Sequence, residues 1–196
     1  VIAKIFGPLV FGRAWCSYTC WTAMVLDLLP HKRPKNKRIK GLGLIRYVYF
    51  FLSLGLVLFI WYVLKNPVEP QSTGELYWLI AGNILYYVLG IILALKLKDN
   101  RAFCKYICPI PVLQKVTSRF SLLKIKIDPS KCIDCGKCEK VCPMDVNLLA
   151  YKNQNQRILA TECIWCSTCA YECPENAIAS SFGFDVGLKD KLYFRS

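Results

Sequence analysis

CIDCGKCEKVCP at residues 132–143 and CIWCSTCAYECP at residues 163–174 write one pattern twice. In each stretch three cysteines stand two residues apart, a fourth follows after three more, and a proline comes next. Three thiolates at this spacing wrap a loop around three corners of an iron–sulfur cubane, while the fourth departs on the following turn and ligates the other cluster. The expected sets are therefore Cys132, Cys135, Cys138 and Cys173 for a first [4Fe–4S] cluster, and Cys163, Cys166, Cys169 and Cys142 for a second. Pro143 and Pro174 fix φ just past the fourth ligand and end any preceding helix. Zinc is the competing metal, but it prefers cysteine pairs split by a longer spacer over a four-cysteine run ending in Cys-Pro. A disulfide framework conflicts with the reducing compartment inferred below.

Around the two runs, residues 122–180 read as a small α+β domain of the bacterial two-cluster ferredoxin kind. Leu122 to Ile127 predicts its first strand, with Lys124 and Lys126 alternating outward, and Ala177 to Ala179 predicts the partner strand. The connection 144–160 is polar in its middle and predicts a hairpin or a partner contact. So small a domain has little core of its own, so its clusters are expected to hold it together. The tail 181–196 alternates weakly and carries no assigned chemistry.

The remaining chain, 1–121, has another character. The protein is 55% hydrophobic yet carries a formal charge of +13 over 196 residues. Soluble basic proteins are rarely so apolar, so membrane segments are expected. Two runs, 45–64 and 76–95, are each long enough to cross a bilayer core of roughly 30 Å, and neither has a polar face. Residues 1–15 read as the end of a truncated helix that leads into a cysteine motif. Trp21 to Leu29 predicts a short interfacial helix stopped by Pro30, and a further short helix follows Pro109 and Pro111 to about Phe120. The basic run HKRPKNKRIK at 31–40, with Lys96, Lys98 and Arg101, places these loops and everything after Leu95 in the cytoplasm. Juxtamembrane position explains that charge without nucleic acid, for which no motif is present. Asn83 in mid-span predicts either a bond to a neighbouring helix or, with Tyr86 and Tyr87, part of a quinone pocket.

The other four cysteines belong to an internal repeat. RAWCSYTC at 13–20 matches RAFCKYIC at 101–108, with two crossings between the copies, so both copies face one side as a parallel repeat. The i, i+4 spacing predicts both cysteines of each copy on one helix face. Cys16, Cys20, Cys104 and Cys108 together would present four thiolates, the ligand set for a third iron–sulfur cluster. Arg13 and Arg101 would lie beside it and tune its potential. A soft Cu(I) site, a thiol redox pair and ordinary buried cysteines are the alternatives. The fold class is thus an α-helical membrane domain, with at least two transmembrane helices and an internal parallel repeat, followed by the α+β ferredoxin domain. His31 is the only histidine, which excludes bis-histidine haem ligation within the chain. No phosphate loop, nucleophile elbow or dinucleotide fingerprint is present, and no catalytic residue is assigned.

These Cys-x3-Cys repeats, the second followed by Pro109, combined with the double-cubane module, resemble the polyferredoxin-like membrane proteins of bacterial respiration. That family includes membrane subunits of quinol dehydrogenases, membrane regulators of nitrous oxide reduction, and copper-reducing oxidase assembly factors. The resemblance covers essentially the whole chain and departs at Trp21, where the first repeat of the family usually has proline. It implies an electron-transfer subunit of an oxidoreductase in the cytoplasmic membrane of a bacterium or archaeon. Such a subunit would relay electrons between a membrane-level site, a quinone pool or a partner subunit, and a cytoplasmic redox partner. The alternative it carries is a metal-reducing assembly factor for a respiratory enzyme.

Overall fold

The computed structural model describes residues 2–31, 38–39, 41–63 and 73–185, with the side chains of 2–5 and 73–75 set aside. Most of the basic run, the outer end of the hairpin between the spans and the tail beyond residue 185 lie outside the described residues.

Helix α1 (Ile2–Phe11) contains Pro8 and stops where Gly12 takes a φ of 59°. A residue in that left-handed region closes a helix cheaply only when it lacks a Cβ. Two short helices follow, α2 (Ala14–Tyr18) and α3 (Trp21–Leu26). The long helices are α4 (Ile45–Val63) and α5 (Thr73–Leu97). Both are long and apolar enough to cross a membrane, over Leu42–Val63 and Leu76–Leu97. Only 6% and 11% of those windows is buried within the molecule, which separates them from the core helices of a soluble protein. The second runs two residues past the expected end at Leu95, and residue 64 of the first lies outside the described residues.

Beyond α5 come α6 (Ala102–Tyr106) and α7 (Ile110–Arg119). Helix α7 packs along α1 and touches α4, and α1 also touches β1, so α7 links the first helix to α4. That domain consists of β1 (Leu123–Ile127), the short helices α8 (Lys137–Lys140), α9 (Leu148–Asn153) and α10 (Thr168–Tyr171), and β2 (Ile178–Phe182). The strands pair antiparallel, with Leu123 opposite Phe182 and Ile127 opposite Ile178. The core comprises Ile125, Ile127, Met144, Val146, Leu148, Tyr151, Ile158, Leu159, Ile164 and Ile178, with the cysteines set into it.

Three expectations need correction. The second strand runs to Phe182, longer than Ala177–Ala179. The connection 144–160 holds a helix, not a hairpin, because Asn147 caps it by accepting from the Ala150 N–H. Lys124 does not point outward: it is buried, and its Nζ donates to the Arg119 carbonyl and to Asp185. The segment after β2 crosses back over that face. There Arg157 grips Asp185 and the carbonyls of Leu122, Ser181 and Gly183, giving residues 183–185 a structural role that alternation alone does not reveal.

Burial raises the Asp185 carboxyl, but Arg157 and Lys124 outweigh it and hold it below the usual range. Asp185 binds its proton less tightly folded than unfolded. Its stabilisation is therefore complete above the ordinary aspartate pKa and is lost as pH falls through the lowered one. Asp185→Asn is expected to cost about 1.5–3 kcal/mol. The measurement is thermal loss of the visible cluster absorbance in detergent. The gap to wild type should shrink on acidification.

Candidate iron–sulfur centres

The two cysteine runs share a backbone as well as a spacing. Positive φ falls at Asp134, Gly136 and Asp145 in the first and at Trp165, Ser167 and Asn176 in the second, each at the same offset from its leading cysteine. These left-handed steps curl each run into a cup and start α8 and α10 behind it. The fourth cysteine of each run receives a backbone N–H four residues on, Val146 to Cys142 Sγ and Ala177 to Cys173 Sγ, both at 3.4 Å. Hydrogen bonds of this kind tune a cluster's potential.

Two cavities follow. One is lined by Cys132, Cys135, Cys138 and Cys173, and the other by Cys142, Cys163, Cys166 and Cys169. Each run thus lends its fourth cysteine to the cavity lined by the first three of the other run. Cys135 of the first cup is exposed, no cysteine of the second is, and each cup has one buried cysteine, Cys138 and Cys169. Burial pushes the Cys163 thiol up to about 12 and the Cys138 thiol to about 11, so iron binding there releases protons.

The four remaining cysteines also meet. Cys16, Cys20, Cys104 and Cys108 line a cavity of about 330 Å³, together with Arg13 and Arg101. The residues before α2 and α6 hold similar dihedrals, Arg13 at φ −89°, ψ 28° and Arg101 at φ −97°, ψ 8°. The expectation that each cysteine pair shares a helix face is corrected. Each helix spans five residues, and its second cysteine lies beyond the end. Cys20 is extended and starts α3, while Cys108 precedes a proline, which disfavours continued helix. The thiols converge through these turns. Cys16 Sγ donates to Gln114 Oε1 at 3.1 Å, and the Tyr86 hydroxyl reaches Cys108 Sγ at 3.5 Å. Asn83 makes no bond to a neighbouring helix among the described residues. Its amide donates to the Leu79 carbonyl one turn back, on an exposed face, while Tyr86 turns toward the cysteines.

The donor set fits a multi-iron group better than a single ion. Among the described residues no three His, Cys, Asp or Glu side chains converge as for one metal ion. Tetrahedral zinc would hold its thiolates roughly 3.8 Å apart, whereas each thiolate of a cubane binds a different iron and stands farther from its fellows. Arg13 Nε and Nη2 and Gln114 Nε2 are buried without an acceptor, and an anionic sulfide-bearing group beside them would supply one.

Sequence reasoning missed the charges that surround these cavities. Glu162, immediately before Cys163, is buried among four cations: Arg13 at 2.9 Å, Arg46 at 2.6 Å, Lys115 at 2.6 Å and Arg38 at 3.4 Å. They come from the first cysteine repeat, the start of α4, α7 and the basic loop. Burial raises the Glu162 carboxyl, yet Arg13, Arg46, Arg38 and Lys115 together hold it well below the usual range. On the other side Lys105, fully buried, joins Asp99 at the end of α5 to Asp145 beside the second cup. The available clue was an acid placed next to a ligand run in a chain with twice as many basic as acidic residues.

Thiols gathered in this way, with N–H donors on their sulfurs and guanidinium groups around them, define an iron–sulfur electron-transport protein of the ferredoxin type. The 4Fe-4S dicluster domain family matches residues 124–174. A second family, described as a 4Fe-4S binding domain, matches residues 1–40 and 83–128, which contain the two cysteine repeats. An uncharacterized protein of Methanocaldococcus jannaschii is 28% identical, over 92% of this chain and 70% of its own length. The ferredoxin-type protein NapH of Haemophilus influenzae is 28% identical over 94% of this chain and 67% of its own. The methylamine utilization ferredoxin-type protein MauN of Paracoccus denitrificans is 30% identical over 73% of this chain and 52% of its own, so the chain spans about half of that relative. No solved structure matches. The chain thus carries 4Fe-4S ferredoxin-type domains, is similar to these ferredoxin-type proteins, and has two membrane-length helices.

Proposed function

We propose that this chain carries single electrons between a donor or acceptor at the level of the membrane, a quinone pool or partner subunit, and a soluble redox partner at the cytoplasmic face. One observation carries the reading: the twelve cysteines line three cavities, and Met144 and Ile164 line both the second cup and the four-cysteine cavity. Iron–sulfur clusters bound there would supply reversible one-electron storage.

The residues named above do the rest. Cys132, Cys135, Cys138 and Cys173 would hold one [4Fe–4S] cluster, and Cys142, Cys163, Cys166 and Cys169 a second. Cys16, Cys20, Cys104 and Cys108 would hold a third centre, and the matched backbone at Arg13 and Arg101 supports a parallel repeat there. Arg13, Arg101 and the surplus cations around Glu162 oppose the negative charge of reduced centres and raise their potential. Met144 and Ile164 keep water out from between neighbouring centres. Lys96 and Lys98 around the end of α5 favour the cytoplasm for the ferredoxin domain, residues 122–180.

The test is iron and sulfide quantification of anaerobically purified protein, beside the Cys16→Ser/Cys104→Ser variant. The expected result is about twelve irons per chain, falling to about eight in the variant. Unchanged iron content would remove the third centre from the reading and return copper handling or thiol chemistry to those four cysteines.

A further inference from the structure

Past Leu97 the chain reverses. Lys98 takes a φ of 52° and the Asp99 N–H bonds the Ala94 carbonyl at 3.1 Å. Helix α6 then runs back along α5. Phe103 meets Tyr86 edge-on, with ring centroids 4.3 Å apart, and the Tyr86 hydroxyl reaches Cys108. Tyr86 stands eleven residues before Leu97, about 16 Å back along the helix at 1.5 Å per residue. With Leu97 at the edge of a hydrocarbon core roughly 30 Å thick, Cys108 would sit at about half its depth.

The first repeat makes the same excursion. At the surface end Asn100 donates to the Leu29 carbonyl at 2.7 Å and accepts from the His31 N–H at 3.1 Å. Deeper, Leu26 packs on Gly90, where a Cβ would stand 3.3 Å from Leu26 Cδ2. Trp21, one turn farther on, lines the same cavity as Cys108. The outer faces here are apolar: Trp21 is 76% exposed, Met24 63%, Leu113 61% and Val116 68%. Of the charged side chains at this level Arg13 and Arg101 are buried, and the part-exposed Asp27 is neutralised by Arg101 at 2.6 Å. Irregular backbone survives inside a bilayer only where protein covers it or it lines a cavity, and the turns through Cys20 and Cys108 line one.

We infer that α2–α3 and α6–α7 are two re-entrant hairpins whose cysteine-bearing tips lie inside the bilayer, with lipid acyl chains covering Trp21, Met24, Leu113 and Val116. Lipid is the occupant because this surface continues the exposed faces of α4 and α5 at the same depth. Met144 and Ile164 of the ferredoxin domain close one side of the four-cysteine cavity, and a small molecule reaching it past the hairpin tips must be membrane-soluble. The inference rests on the reading that α4 and α5 cross the bilayer, and it does not require a third cluster.

The test is fluorescence of the full chain in vesicles of phosphatidylcholine brominated at mid-chain or near the headgroup, with acrylamide as the aqueous quencher. Trp21 is isolated as the difference between wild type and Trp21→Phe. Mid-chain bromine is expected to quench this component at least twofold more than acrylamide does. Leu113→Trp in the Trp21→Phe background gives a second probe with the same expectation. Quenching of both by acrylamide and neither by bromine would overturn the inference. Iron counted on the same samples separates the two proposals. Twelve irons with aqueous quenching keeps the third centre and removes the depth, while eight irons with bromine quenching does the reverse.

Discussion

Glu162→Gln is expected to destabilise the protein by about 3–5 kcal/mol, the cost of stripping the partner from a buried ion pair. The isostere keeps the shape but leaves Arg13, Arg38, Arg46 and Lys115 facing one another without an anion. Arg13 has no exposed surface and Arg46 almost none, so solvent cannot compensate. Because these cations reach Glu162 from three helical elements and the basic loop, the lesion falls on docking between the helices and the ferredoxin domain. The measurement is limited proteolysis with thermal loss of cluster absorbance in detergent. Glu162→Asp should retain part of the stability, and adding Arg46→Gln to Glu162→Gln should recover some of the loss, since one fewer cation is left unpaired. The folded-state pKa of Glu162 lies well below its unfolded value, so its contribution is present above the ordinary glutamate range and disappears as pH falls through the lowered pKa. Wild type and Glu162→Gln should therefore converge in strong acid. Equal stability at neutral pH would show that the cations are already balanced by other charge.

Cys142→Ser should strip the centre associated with the other run. Cys142 belongs in sequence to 132–143, yet it lines the cavity of Cys163, Cys166 and Cys169. Loss of about four irons per chain is expected, with the centre of Cys132, Cys135, Cys138 and Cys173 retained. Non-additivity makes the test sharp. Cys142→Ser combined with Cys166→Ser should lose no more iron than Cys142→Ser alone, because both act on one site. Combination with Cys135→Ser should empty two sites and lose about eight irons. The opposite pattern would mean that each run closes on itself. Serine at Cys142 also removes the acceptor of the Val146 N–H, so a modest stability loss should accompany the iron loss.

Much of this molecule was legible before folding, for local reasons. A ligand run is a fixed count of residues along a loop, so spacing is a local signal of which cysteines group together, and Cys142 and Cys173 each line the cavity of the other run. The membrane helices declare themselves because backbone satisfaction in lipid demands long uninterrupted apolar helix. The repeat announced that Cys16, Cys20, Cys104 and Cys108 belong together, since near-identical strings fold alike.

The remainder depended on which elements lie against which. Lys124 reads as an outward strand residue until Asp185 crosses over it, a contact sixty-one positions apart in sequence. The i, i+4 rule put each cysteine pair on one helix face, but Pro109 after Cys108 and the extended Cys20 carry the second thiol round a turn into the same cavity. Glu162 is an ordinary acid beside a cysteine run in the sequence, and only the approach of the α1–α2 turn, α4, α7 and the basic loop gives it four cations. The sequence by itself determined the cysteine pattern and the membrane-length helices, because covalent spacing and hydrophobic length are one-dimensional. The tertiary structure alone decided the electrostatics around the cysteines, because charge pairing and burial depend on distances in space.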